Sequence, residues 1–349
     1  MRNIVWLGIL AACLAGCRPS GKSSPINTEG MEERGYIAPL NDKVGREHVT
    51  FRNRYGIALA GDLYTAKDIE PGKRYPALIV GAPYGGVKEQ GPCVYAGELA
   101  QQGFIVLTFD APFMGESEGN PRHTSGPEMF SESFSAAVDW LGLQETVDRE
   151  RIGAIGICGS GAFALSAAAM DTRIKAVATA SLFDMAVASR LGMDEQTVRE
   201  TKEQLSRQRW TDAENGEPEW IPSYPEAPTD TVPEGLQGIG REFYEFYGMA
   251  RGFHPRARAG FTATSTLSFM NYRLLDYLRE IAPRPILLIA GEKAESRFMS
   301  DMVYERAAEP KEYIVVPGAN HIDLYDGGGR DDRGKIPFDR LESFFKANL

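Results

Sequence analysis

The sequence predicts a doubly wound α/β protein whose central sheet is mostly parallel. Short apolar runs, which are typical of buried strands, alternate along the chain with longer stretches of helical period. Residues 151–169, RIGAIGICGSGAFALSAAA, combine a strand, a sharp turn and a helix in direct succession. Strands that alternate with helices pair in parallel through right-handed crossovers, which place helices on both faces of the sheet. Ligands of such sheets bind beyond the carboxyl ends of the strands.

The individual elements follow from this pattern in order. Residues 49–64 alternate apolar and polar side chains on both sides of Tyr55-Gly56, which predicts an antiparallel hairpin. Residues 185–282 contain helical stretches without a convincing strand and predict an insertion, because the strand pattern resumes directly afterwards. The other predicted strands cover residues 75–80, 104–109, 152–157, 174–181, 283–291 and 313–316, and helices are predicted at residues 94–102 and 130–143, after the sharp turn, and at residues 338–349.

The first 16 residues have the organisation of a signal peptide. Arg2 precedes an apolar run over residues 4–14, which is shorter than a membrane span of roughly 20 residues. The run ends in Leu14-Ala15-Gly16-Cys17, which resembles the lipobox of bacterial lipoproteins. Cleavage before Cys17 would leave an N-terminal cysteine, and two or more acyl chains on it would anchor the protein stably. We therefore expect a lipid-anchored protein of the bacterial cell envelope, facing the periplasm or the cell surface; an ordinary secretory signal is the alternative.

Composition and charge indicate where the folded domain begins and exclude some classes of partner and of disulfide-stabilised fold. Residues 17–47 are rich in small, polar and charged residues and predict a flexible tether, so that the folded domain is expected to span residues 48–349. A net charge of -10 argues against a nucleic-acid-binding surface, which needs clustered Lys and Arg. Once the signal is removed and Cys17 is lipidated, Cys93 and Cys158 are the remaining thiols; this excludes a disulfide framework and leaves one bridge possible. The oligomeric state stays open.

Cys158 is the candidate nucleophile. Glycines on both sides of it allow the strand and the following helix to approach closely, and the pattern resembles the nucleophile elbow of α/β hydrolases, usually G-x-S-x-G. Ser160 stands where that pattern has its second glycine. Ser160 is also a rival nucleophile, but the spacing from the strand favours Cys158. A small buried cysteine without chemistry is the alternative, although the helix N-terminus is expected to favour the thiolate.

The base and the oxyanion donors are predicted from two loops. His321 follows the last predicted strand, so its imidazole is expected at the carboxyl edge of the sheet, where it can take the proton of a thiol. The order of nucleophile and then histidine agrees with the order in α/β hydrolases. The Gly159 N–H is expected to supply one oxyanion donor. Tyr84 N–H, in the glycine loop after the first parallel strand, is expected to supply the other, and Gly85 N–H is the alternative.

The acid that would orient His321 is where the sequence departs from the usual pattern of α/β hydrolases. After the strand that ends at Gly291, a G-x-x-D pattern would place the acid at position 294, but this position is occupied by Ala294. Asp184, at the end of the strand that follows the elbow helix, is the preferred replacement, with an N-cap role for its carboxylate as the alternative. The other carboxylates that we consider are those of Glu292, Glu295 and Asp323.

Several of these stretches together resemble the branch of the α/β hydrolases related to dienelactone hydrolase. The likeness rests on LTFDAPFMGESEGNPR, on VDRERIGAIGICGSGAFALSAAAMDTRIKAVATAS and on EPKEYIVVPGANHIDLYD, and a cysteine at the elbow is a feature of that branch. The resemblance implies an α/β-hydrolase fold in which the insertion at about residues 185–282 forms a helical cap. It also implies that Asp110 with residues 115–117 forms a structural loop. Lys88 and Glu89 are expected either to form an ion pair with this loop or to contact the substrate.

The functional expectation follows from the same resemblance. We expect an enzyme that hydrolyses or transfers an ester, thioester or lactone acyl group through an acyl-cysteine intermediate on a small-molecule substrate that the sequence does not identify. A catalytically silent binding lipoprotein with the same fold is the alternative, and an acyltransferase is a second one. No cofactor and no metal are expected, because the sequence contains neither a phosphate-binding nor a dinucleotide-binding motif and no metal-ligand spacing.

Overall fold

The computed structural model describes residues 35–328 and 334–349 and contains a central sheet of eight strands. The strands of this sheet are β1 (Val44–Arg52), β2 (Ala58–Ala66), β3 (Tyr75–Gly81), β4 (Ile105–Phe109), β5 (Val147–Ile157), β6 (Ile174–Ala180), β9 (Ile286–Gly291) and β10 (Lys311–Val316). Their spatial order is β1-β2-β4-β3-β5-β6-β9-β10; β1 and β2 form an antiparallel hairpin, β2 pairs antiparallel with β4, and all other neighbours in the sheet are parallel. This confirms the doubly wound α/β-hydrolase fold and the hairpin.

Helices cover both faces of this sheet. Because side chains alternate along a strand, Ile79 and Ala154 enter one apolar layer, whereas Leu78 and Ile155 enter the other. The parallel strands read as continuous apolar runs for the same reason, since both of their faces are buried. Outside the insertion the helices are α1 (Gly91–Gln101), α2 (Pro127–Leu141), α3 (Gly159–Met170), α8 (Arg297–Arg306), α9 (Asp323–Asp326) and α10 (Phe338–Asn348).

The register of the parallel strands brings their carboxyl ends to one edge. Ile157 at the end of β5 lies beside Ala180 at the end of β6, and Gly291 at the end of β9 lies beside Val316 at the end of β10. The loops that follow these strands therefore converge. This edge is where the predicted catalytic residues lie.

The chain between β6 and β9 combines one long helix with several short elements. It contains α4 (Met185–Ala188), α5 (Glu195–Asn215), α6 (Gly238–Tyr247) and α7 (Thr266–Met270), and two 3-10 turns. It also contains a two-residue antiparallel ladder between β7 (Trp220–Ile221) and β8 (Phe261–Thr262), which the sequence pattern does not predict. Strands this short show no recognisable period of alternation.

The folded region begins earlier than residue 48. Tyr36, Ile37 and Ala38 are buried in the apolar layer that also contains the elbow cysteine, and β1 begins at Val44. The tether predicted over residues 17–47 is thus wrong at its C-terminal end. The signal peptide, Cys17 and the rest of the tether up to residue 34 lie outside the described residues. Within the described residues, no helix is both long and apolar enough to cross a membrane.

Candidate active site

Cys158 lies at a strained turn between β5 and α3. Its φ is 54°, a left-handed conformation that is unusual for a residue with a side chain. The Cys158 N–H donates to the Ala180 carbonyl oxygen at 2.9 Å, which ties the turn to the end of β6. Gly156 is required here because a Cβ at this position would clash with the backbone of Ser160. The geometry is that of a nucleophile elbow, in which strain projects one side chain beyond the sheet edge.

Two backbone donors converge on the Cys158 sulfur. The N–H groups of Gly159 and Tyr84 both form hydrogen bonds with it. The two loops touch at this point, since a Cβ added to Gly159 would lie 2.6 Å from the Tyr84 Cβ. Tyr84 is fixed by its side chain, whose ring stacks on that of Phe261 at a centroid distance of 3.9 Å and whose hydroxyl lies 2.5 Å from Ser125 Oγ. The structure therefore brings together the nucleophile candidate and both predicted oxyanion donors.

His321 lies in the loop after β10 and is fully buried. Its Nδ1 is 2.5 Å from Ser296 Oγ, and its Nε2 is 3.0 Å from the Tyr325 hydroxyl. The Tyr325 hydroxyl in turn forms a hydrogen bond with Cys158. The imidazole is thus connected to the sulfur through a tyrosine, and a serine hydroxyl contacts the nitrogen that a carboxylate contacts in a Ser-His-Asp triad.

Burial determines the charge of this site. Removal from water raises the pKa of Cys158 to about 11, against the opposing effect of hydrogen bonds from Tyr325, Gly159 and Tyr84. Burial also lowers the pKa of His321 to about 3. Both shifts disfavour a thiolate–imidazolium pair, so the resting site holds a neutral thiol and a neutral imidazole. The expected preference of the helix N-terminus for the thiolate is therefore outweighed by desolvation.

The structure does not bring Asp184 to His321. Asp184 Oδ1 accepts hydrogen bonds from the N–H groups of Ala186 and Val187 and caps α4, which is the alternative role considered for it. The other candidate carboxylates also have different partners: Glu292 accepts from Gly318 N–H, Glu295 from Ile239 N–H, and Asp323 from Asn320 N–H and from the side chains of Arg251 and Lys335.

Ser160 and Cys93 form hydrogen bonds with backbone carbonyl groups. The Ser160 hydroxyl donates to the Ala82 carbonyl oxygen and lies in the first turn of α3, so this contact occupies its proton. Cys93 Sγ donates to the Glu89 carbonyl oxygen at 3.2 Å. Cys93 and Cys158 carry thiols and form no disulfide with each other.

A helix of the insertion contacts the histidine loop directly. Glu242 Oε2, on α6, accepts a hydrogen bond from His321 N–H at 3.0 Å. Burial raises the pKa of Glu242 to about 7, and the nearby negative charges of Glu295 and Asp323 act in the same direction. Phe243 of the same helix lies edge-on to the His321 ring at a centroid distance of 5.1 Å. The insertion therefore packs against the candidate base.

Comparison with known proteins is consistent with this geometry. The profile of the X-Pro dipeptidyl-peptidase (S15 family) matches residues 56–219. The chain is 46% identical to the uncharacterized protein PA2218 of Pseudomonas aeruginosa, over 100% of this chain and 95% of the relative. The crystal structure of PA2218 superposes with a TM-score of 0.84 at 44% identity, covering 94% of this chain and 100% of that one.

The chain belongs to the α/β-hydrolase superfamily, in one family with PA2218. More distant relatives of this α/β hydrolase carry activity names. The chain is 28% identical to the thiohydrolase AneE of Aspergillus aculeatus, over 88% of this chain and 93% of the relative. It is 26% identical to the polyketide transferase GrgF of a Penicillium species, over 81% of this chain and 91% of the relative. Together these similarities support a hydrolase or acyltransferase activity.

The loop around Asp110 holds a buried charge cluster in this α/β hydrolase. Lys88 Nζ lies 2.5 Å from Glu89 Oε1, 2.6 Å from Glu116 Oε2 and 3.3 Å from Asp110 Oδ2. Although burial alone would lower it, the charges of Asp110 and Glu89 raise the pKa of Lys88 above its ordinary value. Among the described residues these three carboxylates are the one group close enough together to hold a metal ion. The Lys88 ammonium already contacts all three, so the cluster is an internal ion network.

The sequence reasoning missed two members of the site, Ser296 and Tyr325. Ser296 stands two positions after Ala294, at the end of the loop in which a carboxylate was expected. Tyr325 follows His321 by four residues, and α9 begins between them, which places both side chains on the same face of the turn. The spacing of His321 and Tyr325 was therefore a readable signal, whereas a hydroxyl in place of an acid was not.

Proposed function

We propose that this protein catalyses acyl transfer from a small ester or thioester to water or to a second acceptor, through an acyl-cysteine intermediate at Cys158. The observation that carries the proposal is the convergence of Gly159 N–H and Tyr84 N–H on a cysteine in a strained left-handed turn. Preorganised backbone donors beside an attacking atom stabilise the negative charge that develops on a carbonyl oxygen.

The reaction proceeds in two halves. In the first, the thiol loses its proton, the sulfur of Cys158 attacks the acyl carbon, and the carbonyl oxygen gains negative charge next to the two donors. Collapse of this intermediate breaks the bond to the leaving alcohol or thiol, which receives the proton. In the second half, water or an acceptor alcohol, amine or thiol attacks the thioester carbon, and the Cys158 thiol is regenerated.

Thioesters are the substrate class that we favour over lactones and simple esters. The names of AneE and GrgF refer to a thiohydrolase and a polyketide transferase. A thiol nucleophile also exchanges one thioester for another at little cost in bond energy. The site is apolar, because Phe183 and Phe243 stand edge-on to the His321 ring at 5.9 and 5.1 Å. An aliphatic or aromatic acyl chain suits such surroundings.

The test compares Cys158→Ala with Ser160→Ala on a panel of acyl thioesters and p-nitrophenyl esters. Cys158→Ala should abolish turnover, since the bond-forming atom is removed. Ser160→Ala should retain it, because that hydroxyl donates to the Ala82 carbonyl oxygen and its loss should cost about 1 kcal/mol of stability. Undiminished activity of Cys158→Ala would rule out the acyl-cysteine pathway, and loss of activity in Ser160→Ala alone would transfer the role to the serine.

A catalytically silent binding protein is the alternative function, and one observation favours it. The site holds a neutral thiol and a neutral imidazole, and Ser296 rather than a carboxylate contacts His321. This alternative predicts no turnover of any member of the panel. Turnover that depends on Cys158 would exclude it.

We also propose that the protein is anchored to a bacterial envelope membrane by acyl chains on Cys17. The support is the sequence alone, namely the Leu14-Ala15-Gly16-Cys17 motif behind an apolar run. The Cys17→Ala protein should leave the membrane fraction, because anchoring needs two acyl chains or one with a second signal. Retention of the variant in washed membranes would show that another feature holds it there.

A further inference from the structure

Tyr325 occupies the space between the nucleophile and the base. Its hydroxyl lies 3.0 Å from His321 Nε2 and forms a hydrogen bond with Cys158, and its side chain is fully buried. The other imidazole nitrogen, Nδ1, contacts Ser296 Oγ at 2.5 Å. The His321 ring therefore reaches the thiol by way of the tyrosine hydroxyl.

Packing holds Tyr325 in this position. Its ring stands edge-on to Phe246 at a centroid distance of 5.0 Å and also packs against Tyr247. The short helix α9 that carries it is attached to α1, because the Tyr95 hydroxyl donates to the Leu324 carbonyl oxygen at 2.6 Å. Phe246 and Tyr247 belong to the insertion, whereas Tyr95 belongs to the main domain. The hydroxyl is thus preorganised between two reacting groups.

The contacts of the neutral His321 ring allow two tautomers, and in one of them Nε2 accepts a hydrogen bond from the Tyr325 hydroxyl. The Cys158 thiol has one proton to give, a phenol hydroxyl can accept one proton while donating another, and a neutral imidazole accepts at one nitrogen only. If Nε2 accepts from Tyr325, then Nδ1 carries the hydrogen and donates to Ser296 Oγ. Each hydrogen-bond donor from Cys158 through Tyr325 and His321 then faces an acceptor.

We propose that Tyr325 is a catalytic residue that relays the proton between Cys158 and His321. This rests on the proposed acyl-cysteine function. When sulfur attacks the acyl carbon, the thiol proton passes to the Tyr325 oxygen as the Tyr325 hydroxyl proton passes to His321 Nε2. When the leaving group departs, His321 returns its proton to Tyr325, and Tyr325 passes one on to the leaving oxygen or sulfur. Tyr325 is neutral before and after each half-reaction.

The experiment compares Tyr325→Phe with Tyr64→Phe. Each substitution removes one buried phenol hydroxyl without changing the ring, and Tyr64 lies on β2, three strands away from β5 in the sheet. Removal of a proton relay should lower kcat by about 10²- to 10³-fold with little change in KM, which is the range of general acid–base catalysis. Tyr64→Phe should stay within about threefold of the wild-type kcat/KM. Thermal melting of both variants checks that they fold.

The pH dependence separates a relay from a structural hydroxyl. In Tyr325→Phe the thiol must lose its proton to solvent, so kcat/KM should rise with pH and should lose any limb that reports His321. The pH midpoint of Cys158 alkylation by iodoacetamide should also move upward, because the Tyr325 hydrogen bond lowers the pKa of the thiol. The alkylation arm needs no substrate.

The results for Cys158→Ala and Tyr325→Phe together show whether the relay alone is wrong or the proposed acyl-cysteine function is wrong. If Cys158→Ala retains turnover, the acyl-cysteine function is wrong whatever Tyr325 does. If Cys158→Ala is inactive while Tyr325→Phe keeps the wild-type kcat, pH profile and alkylation midpoint, the function stands and the relay is refuted. Such a result would mean that His321 takes the proton directly after a rearrangement.

Discussion

The contact between Gly159 and Tyr84 leads to the most demanding prediction, which concerns Gly159→Ala. A Cβ at position 159 would lie 2.6 Å from the Tyr84 Cβ and 3.2 Å from the Tyr84 nitrogen. Carbon atoms in contact prefer roughly 3.5–4.0 Å, so the two loops must separate by about 1 Å. The Tyr84 side chain cannot absorb this movement, because its ring is stacked on Phe261 and its hydroxyl contacts Ser125.

The backbone of Tyr84 must therefore move, which displaces its N–H from the position at which it would donate to the oxyanion. Loss of one oxyanion donor lowers kcat by about 10²- to 10³-fold, which corresponds to about 2.7–4 kcal/mol of transition-state stabilisation. Overpacking of the two loops should also cost about 1–3 kcal/mol of folding free energy. Alkylation of Cys158 by iodoacetamide forms no oxyanion, so its rate should fall by less than about tenfold.

The matched control is Gly97→Ala. Gly97 lies inside α1, where an added Cβ meets nothing within 4 Å. This variant should gain about 0.5–1 kcal/mol of stability, since alanine is the better helix former, with kcat unchanged. The assay is steady-state hydrolysis of an acyl thioester together with urea unfolding of both variants. A Gly159→Ala protein that is folded and keeps kcat within about threefold of wild type would refute the assignment of Tyr84 N–H as a donor.

Three further predictions concern the charges around the site. Ser296→Asp should raise the pKa of His321 by about 1–3 units, because a carboxylate would then face its Nδ1; the acid limb of the kcat/KM profile should move to higher pH, and an unmoved limb would contradict the contact. The raised pKa of Glu242 means that the folded protein holds this proton more tightly than the unfolded chain, so stability should fall as pH rises from about 4.5 to about 7. The unfolding free energy of the wild type, measured with urea, should be about 1.5 kcal/mol lower at about pH 8 than at about pH 5; this value is halved because the carboxyl is partly exposed. Glu242→Gln should remove this difference, and equal pH dependence in the two proteins would refute the prediction. Lys88→Met should cost about 3–5 kcal/mol because it leaves the buried Asp110 carboxylate without its ion-pair partner. Lys73→Met, at an exposed ion pair, should leave the unfolding free energy close to that of wild type, and similar unfolding free energies for both variants would contradict the ion network.

Local signals explain why the fold and the elbow could be predicted from the sequence. The parallel strands are buried on both faces and so appear as apolar runs, and the elbow is marked by glycines whose absence would produce clashes with Ser160 or Tyr84. The edge of the sheet at which β5 and β10 end follows from the parallel pairing. These features require no knowledge of distant contacts.

The orienting group of His321 could not be predicted in the same way. In the sequence, a carboxylate at the end of β6 is equally suited to be a triad acid or a helix cap. In the structure, Asp184 accepts hydrogen bonds from N–H groups of α4 and is therefore a helix cap. Ser296 fills the acid's place with a neutral hydroxyl, which no acid motif describes. Which polar group faces the imidazole depends on how three loops pack, and that is decided by tertiary contacts rather than by local sequence.

The N-terminal start of the folded domain could not be predicted from local sequence either. Residues 36–38 lie in a polar stretch of low periodicity, but their apolar side chains are buried against the layer that contains Cys158. Three apolar residues without a repeat give no secondary-structure signal. Their burial depends on an apolar surface formed by elements far along the chain.

The central claim is the acyl-cysteine intermediate, and mass spectrometry of the quenched reaction tests it most directly. The protein is mixed with an acyl thioester, quenched in acid within the first turnover, and its peptides are mapped by mass. We predict a mass increase of one acyl group on the peptide that contains Cys158 and no increase in Cys158→Ala. An acyl group on Ser160 instead, or full turnover without any adduct on Cys158, would contradict the acyl-cysteine mechanism.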